Sequence, residues 1–522
     1  MDELMTVVEW SRAQFALTAI YHWLFVPLTL GLSVIVAVME SIYVKTQSEK
    51  WLAATKFWMT LFGINFAIGV ATGMILEFEF GTNWSNYSWF VGDIFGAPLA
   101  IEGLLAFFME STFVAVMFFG WNKVSPRFHL AATWLTAIGA SISALWILVA
   151  NSWMQYPVGM EFDPAQMRNV MDDFWALFSG VAINKFLHAT LSGWALSGVF
   201  VIGVSCWMLF KGRNREFAVR SIKVGAWVGL TGLLLTMYTG DGSAVEVTKT
   251  QPMKLAAMEG LYRGTTEQGL VAVGMVNPDK KWNDTQDEYL FDITIPYGLS
   301  ILAKHDPKAF VPGIADIVEG IDVNETGDTI NTVGYAERIA RGKAAHEALR
   351  DFDKARAAGN LTLENEARER LMKDYPYFGY GYFDSVDEAI PPVAMTFYSF
   401  RIMVVLGSYF LLFYLIVLLS LYWKKLPIEQ ARWLQVIAIV SVPFMWVCSE
   451  AGWVVAEVGR QPWTVQDLLP TRAAISSIPA SSVITTFWLF AGIFTVLLVA
   501  EVSIMMRQIS KKSTTNLQTA YV

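Results

Sequence analysis

The chain has 522 residues, of which 54 % are hydrophobic and only 16 % charged, with 35 Phe, 21 Trp and 22 Met. Its mean hydropathy is +0.42. A water-soluble protein of this length could not cover its surface with so little charge, so the composition is that of a polytopic membrane protein. The balance of 38 Lys and Arg against 46 Asp and Glu is acidic, which disfavours nucleic-acid binding.

Cys206 and Cys448 lie in apolar runs and no CxxC pair occurs. That sets aside zinc ribbons, iron–sulfur cages, covalently attached haem and a disulfide framework. The N-terminal MDELMTVVEW carries no basic run, so no cleaved leader is expected and the first apolar segment stays in the mature protein.

Nine apolar runs reach the roughly 20 residues that a helix needs to cross about 30 Å of hydrocarbon. They are 15–40, 57–77, 94–119, 129–150, 182–210, 221–241, 396–422, 433–458 and 483–506. None alternates as barrel strands do, so lipid forces each to be a helix. The expected fold is an all-α integral membrane protein with nine transmembrane helices. Residues 1–242 hold helices one to six, 243–395 form a large extracytoplasmic loop, and 396–522 hold helices seven to nine and a cytoplasmic tail.

Charge in the connections sets orientation. Segments 41–56, 120–128, 211–223, 423–432 and 507–522 contain sixteen Lys and Arg, and the opposite set contains only Arg12, Arg168, Arg460 and Arg472. The N-terminus is therefore expected outside and the C-terminus in the cytoplasm. The loop carries 25 acidic and 16 basic residues, so the acidity of the chain belongs to one extracytoplasmic segment. A loop of that length is expected to be functional and partly folded. Within it, 335–373 reads as polar helix broken at Gly359-Asn360.

Titratable side chains inside spans are costly and are functional candidates by default. They are His22 in span one, Glu102 and Glu110 in span three, His188 in span five, Arg401 in span seven, and Glu450 and Glu457 in span eight. His22, His188, Met403 and Glu450 cluster in the outer half, and Glu110 lies about 12 Å deeper than Glu102. Plainer roles exist for several. Glu102 and Glu110 could pair with Arg401 or Lys185, and the Glu450/Glu457 stripe could hold Arg460. His129, at the start of span four, reads as a surface residue, and His305 and His346 as solvated loop histidines. Two function classes fit these residues: a redox enzyme holding haem between helices, or an ion or proton transporter using the same carboxylates.

Several segments narrow the choice: RAQFALTAIYHWLFVPLTLG (12–31), FGINFAIGVATGMILEFEFGTNWSNYS (62–88), VGDIFGAPLAIEGLLAFFMEST (91–112), SALWILVANSWMQYPVG (143–159), QPMKLAAMEG (251–260), FRIMV (400–404) and EAGWVVAEVGRQPW (450–463). Together they closely resemble subunit I of the cytochrome bd-type quinol oxidases, and the loop length resembles the long quinol-loop subfamily. The resemblance covers all nine spans and the first part of the loop, but not about 262–390.

The resemblance implies a terminal respiratory oxidase that oxidises quinol near the outer face and reduces O2 to water, with protons drawn from the cytoplasm. The bundles would hold three haems: a low-spin b, a high-spin b, and a haem d or a haem b in its place. Copper is not implied, and the two deep histidines are too few for a haem–copper site. By motif, His188 and Met403 would ligate the low-spin haem, His22 haem d, and Glu450 the high-spin b haem. Trp446 would assist electron transfer between haems. Glu102, Glu110 and Ser111 would deliver protons, and Lys254 and Glu259 would bind quinol. Arg401 would neutralise a haem propionate, and Arg460 and Trp463 would close the outer end of the pocket. The expected partners are a haem-free subunit II and small single-span subunits, in a bacterial inner membrane. Ubiquinol and menaquinol both remain open.

Overall fold

A computed structural model describes residues 2–323, 328–423 and 426–514. Among these, nine helices are long and apolar enough to cross a membrane: Leu4–Thr46, Glu49–Thr82, Asp93–Phe119, Pro126–Gln155, Gly180–Phe210, Arg215–Thr250, a segment 386–422 whose regular helix is Val393–Tyr422, Arg432–Val458 and Ala480–Ser510. They coincide with the nine expected spans and run past them at most ends, because polar turns continue each helix beyond the apolar stretch. Span six in particular stays helical to Thr250, into the segment read as loop. Lys424, Lys425 and the tail beyond Thr514 lie outside the described residues.

Local chemistry sets several boundaries. The Ser125 hydroxyl accepts from Phe128 N at 3.3 Å and Pro126 opens span four, an N-cap followed by the proline that needs no donor. Span three is interrupted: α-helix to Ile101, a π-helical turn at Glu102–Phe107, then α-helix from Phe108. Such turns re-aim side chains and recur at functional sites, and Glu102 is the first residue of this one.

Spans one, two, five, six, seven and eight share one apolar core, including Leu32, Trp58, Leu196, Val199, Phe410 and Tyr414. Spans five and six touch backbone to backbone. A Cβ on Gly198 would stand 2.6 Å from the Gly225 carbonyl oxygen, the small-residue contact that membrane helices use where water provides no drive. Spans three, seven and nine are largely outward-facing.

The loop is folded and docked. Helices Tyr335–Ala357 and Leu361–Asp374 form the expected pair. The break falls at Gly359, which has φ +66°, and Asn360, whose side chain caps the second helix through Leu363 N at 3.2 Å. A second core joins this pair to the N-terminus and to the loop-side ends of the spans through Val8, Trp84, Trp153, Phe162, Leu371 and Phe378. Tyr375 donates to Asn169 Oδ1 at 2.7 Å and Tyr380 to Asp467 Oδ1 at 2.8 Å. Among the described residues, four two-stranded antiparallel hairpins add short strands to the helical fold, the longest pairing Leu270–Val276 with Tyr289–Ile295.

Three histidine expectations resolve here. His305 is exposed and meets Asp241 at 3.0 Å. His346 is not a solvated ring: it packs between Phe378 and Tyr382, at centroid distances of 4.4 and 4.5 Å. His129 is not a surface residue. It is 1 % exposed, because its ring turns towards span one and meets Glu40 there.

Candidate functional site

His22 and His188 are held by the same device on different helices. His22 Nδ1 lies 3.0 Å from Thr72 Oγ1, and that hydroxyl already donates to the Gly69 carbonyl at 3.0 Å. The hydroxyl proton is thus spent, so it accepts from Nδ1–H and leaves Nε2 with its lone pair. His188 Nδ1 lies 3.1 Å from Thr239 Oγ1, which donates to the Leu235 carbonyl at 3.0 Å. Each ring also lies against a glycine: a Cβ on Gly73 would come within 3.0 Å of His22 Cε1, and one on Gly240 within 3.3 Å of His188 Cε1. Orientation of a ligating ring through its other nitrogen is the usual support of a metal-binding histidine.

Two further donors share this layer. Cys448 Sγ reaches the Met403 carbonyl at 3.4 Å, and the Met403 sulfur stands 3.2 Å from where a Cβ of Gly452 would be. Span seven therefore sets its thioether beside the turn that carries Glu450. The Glu450 Oε1 atom is buried with no hydrogen-bond partner, a costly state unless a cation or donor meets it. Span one is pinned to the same turn. Trp23 Nε1 donates to Ser449 Oγ and Trp446 Nε1 to the Leu24 carbonyl, both at 2.8 Å, so His22 and Glu450 lie at one depth. Ala189, next to His188, packs in a cluster with Trp23 and Trp453, which brings span five to that depth too.

Among the described residues no three His, Cys, Asp or Glu side chains converge. Haem iron takes only one or two protein ligands, and the donors here, two imidazoles with free Nε2, a thioether and a partnerless carboxylate oxygen, suit it.

Towards the loop lies a buried charged network. Glu457 takes Arg460 Nη2 at 2.5 Å, Gln155 Nε2 at 3.1 Å and Asn151 Nδ2 at 3.2 Å, with Lys185 Nζ at 3.7 Å. Arg460 Nε and Nη1 remain buried and unpartnered. Lys254 joins by donating to Gln155 and, at 2.8 Å, to Gln251. Burial and the nearby Lys185 charge push the Lys254 ammonium well below the ordinary lysine value, against the pull of Glu457. Glu259 faces elsewhere: it receives Arg401 Nη2 at 2.5 Å, while Glu259 Oε1 and Arg401 Nε stay unpartnered. Burial raises the Glu259 carboxyl above the usual range and Arg401 opposes it. Lys254 and Glu259 thus lie on one short buried helix, Pro252–Glu259, but meet different partners. Trp463 packs on Tyr380 and Phe383 at 4.8 and 5.2 Å, tying the end of span eight to the loop.

In span three, Glu102 Oε1 accepts from Ser143 Oγ at 2.5 Å and its Oε2 is buried without a partner. Glu110 is buried against span four, where a Cβ on Gly139 would stand 3.6 Å from its Cβ. Neither carboxyl pairs with Arg401 or Lys185, whose acidic partners are Glu259 and Glu457. The Ser111 hydroxyl is exposed and donates to its own helix at the Phe107 carbonyl, 2.7 Å.

The family model described as cytochrome bd terminal oxidase subunit I matches residues 10–513. The chain belongs to that family. It is 42 % identical over 520 residues to the cytochrome bd-II ubiquinol oxidase subunit 1 of Escherichia coli (strain K12), covering 96 % of each chain. It is 35 % identical over 505 residues to the cytochrome bd ubiquinol oxidase subunit 1 of Bacillus subtilis (strain 168), covering 96 % of this chain and 93 % of the relative. The bd oxidase structure from Geobacillus thermodenitrificans shares the fold, with a TM-score of 0.77 at 22 % identity over 98 % of this chain and 100 % of that one. This subunit I is therefore part of a haem-containing terminal respiratory oxidase, a quinol:O2 oxidoreductase.

Sequence reading of the subunit missed Thr72, Thr239 and Ser143, because a hydroxyl in a span is ordinary and only the fold shows which side chain it meets. Thr239→Val keeps the shape and removes the acceptor for His188 Nδ1–H. If His188 holds haem, its retention is expected to be about tenfold weaker in this variant, read as haem content after detergent washing.

Proposed function

We propose that His22, His188, Met403 and Glu450 are the haem ligands of this oxidase. His188 and Met403 serve the low-spin haem b, Glu450 the high-spin haem b, and His22 the haem d, or the haem b that replaces it. The observation that carries this reading is the repeated histidine device in the layer that also holds the Met403 sulfur and the partnerless Glu450 oxygen. Bound there, haem would supply electron transfer where His188 and Met403 hold it, and O2 chemistry where His22 or Glu450 alone holds it.

The polypeptide supplies the rest. Trp446 links spans one and eight between the ligands, and Arg460 offers two free guanidinium nitrogens to a propionate. Arg401 spends one nitrogen on Glu259, so its first task is to hold that carboxylate, and Nε remains for a propionate. Quinol binds beside Glu259, which takes a proton from the substrate hydroxyl through its free Oε1. Lys254 fixes the same helix from its other side and can donate to a quinone oxygen. The neighbouring hairpin supports access from lipid: Phe291, Ile293 and Ile295 are exposed, and Tyr289 donates to the Glu259 carbonyl at 2.7 Å. Glu102 and Glu110 pass protons for water formation.

Charge in the connections supports an outside N-terminus and a cytoplasmic C-terminus. Quinol protons then leave on the loop side while protons for water enter from the other, so chemistry alone charges the bacterial inner membrane. The outward-facing spans three, seven and nine leave room for a haem-free subunit II and small single-span subunits.

The experiment is a quinol titration of O2 uptake by the purified complex. Glu259→Gln should raise the quinol KM about tenfold or more, the loss of one charge-assisted contact, with all haem bands in place. Lys254→Ala should raise KM as well. Loss of haem at unchanged KM would show that this helix is structural and remove the quinol assignment.

A further inference from the structure

Span one carries a carboxylate that the readings above do not use. Glu40 is 1 % exposed and meets His129 of span four: His129 Nδ1 is 2.7 Å from Glu40 Oε1. The other ring nitrogen, Nε2, lies 3.1 Å from the Met117 carbonyl of span three. A carbonyl only accepts, so Nε2 carries a hydrogen. Nδ1 then faces a carboxyl oxygen either as a lone pair receiving the Glu40 proton or as N–H donating to a carboxylate. In both arrangements the pair holds one proton between two groups. Thr133 donates to Glu40 Oε2 at 2.6 Å. Trp121 stacks on the imidazole at 3.8 Å, with Lys56 5.2 Å above the indole, and Tyr43 is within electrostatic reach of Glu40. These are the charged and titratable neighbours of the pair.

Its place in span four gives it a use. His129, Thr133, Thr136, Gly139 and Ser143 follow at intervals of four, three, three and four residues, which keeps them on one helix face. Thr133 and Thr136 are fully buried. Gly139 is the contact with Glu110, and Ser143 donates to Glu102. The climb from His129 to Gly139 is about 15 Å, and to Ser143 about 21 Å.

We propose that Glu40 and His129 are the first buried station of a proton route that runs along this face of span four to Glu110 and Glu102. The pair releases its proton towards Glu110 through the Thr133 hydroxyl and ordered water, and takes one from the aqueous side, so its charge is restored each cycle. This rests on the reading above that protons for water enter at the end opposite the loop.

Glu40→Gln separates relay from scaffold. Its amide can donate to His129 Nδ1 and accept from Thr133, so every hydrogen bond survives around a neutral ring and only the mobile proton is lost. The measurement is proton uptake by the complete oxidase in proteoliposomes, followed with a pH-indicating dye during a single reaction with O2. Expected is an uptake rate at least tenfold slower, with unchanged haem spectrum and quinol KM, and recovery of most of the rate in Glu40→Asp. Uptake at the wild-type rate in Glu40→Gln overturns the proposal. So does failure of that variant to assemble, which would make the pair a structural ion pair. Glu110→Gln, run alongside, distinguishes the levels: if it alone blocks uptake, only this entry station fails, and if neither variant slows uptake, the proton-delivery reading fails with it.

Discussion

Replacing His188 with Ala, or Met403 with Leu, is expected to abolish the low-spin haem signal in the dithionite-reduced spectrum and to lower quinol oxidase activity at least a hundredfold. On the proposed ligation each variant would remove one of the two side chains that hold this haem, and a centre held by one side chain would lose the spin state and potential of a His/Met pair. Met403→Leu is the sharper test. The two side chains differ little in volume, so packing beside Gly452 is nearly conserved at a cost below about 1.5 kcal/mol, while the sulfur is gone. Loss of the signal in that variant therefore reports ligation and not unfolding. An unchanged reduced spectrum would remove both residues from the assignment.

Glu110→Ala is expected to slow O2 reduction by a factor on the order of 10²–10⁴, the range for removing a proton-transferring side chain, with haem content unaltered. The side chain is buried against span four at Gly139 and no described hydrogen bond of its carboxyl ties other elements together, so its loss leaves the fold standing. Full turnover in this variant would reduce Glu110 to a packing residue. The same assay in Ser111→Ala should show little change, since that hydroxyl faces outward and bonds its own backbone.

Much of the architecture could be read from the chain because lipid leaves few choices. A run such as 182–210 in hydrocarbon can only be a helix, and the Gly359-Asn360 break follows from a left-handed residue and an N-cap. The four proposed ligands stood out through type and motif. What the sequence could not disclose was partnership. Arg401 and Glu259 are 142 positions apart, and nothing local says that the guanidinium meets a carboxylate first. His129 looked superficial because Arg127 adjoins it, yet a pair with Glu40, 89 residues away, lets it be buried. The π-helical turn at Glu102 was equally hidden, since EGLLAF is unremarkable as α-helix. The hairpin beside Glu259 has exposed Phe291 and Ile293, whose purpose shows only once its neighbour is known.

Haem content per copy of this subunit, measured in the purified complex with its partner and in His22→Ala, His188→Ala and Glu450→Ala, bears most directly on the claim that these side chains grip porphyrin iron. About three haems are expected in the parent complex, with a different spectral component lost in each variant. A colourless parent complex, or variants that all retain the full complement, would contradict that claim.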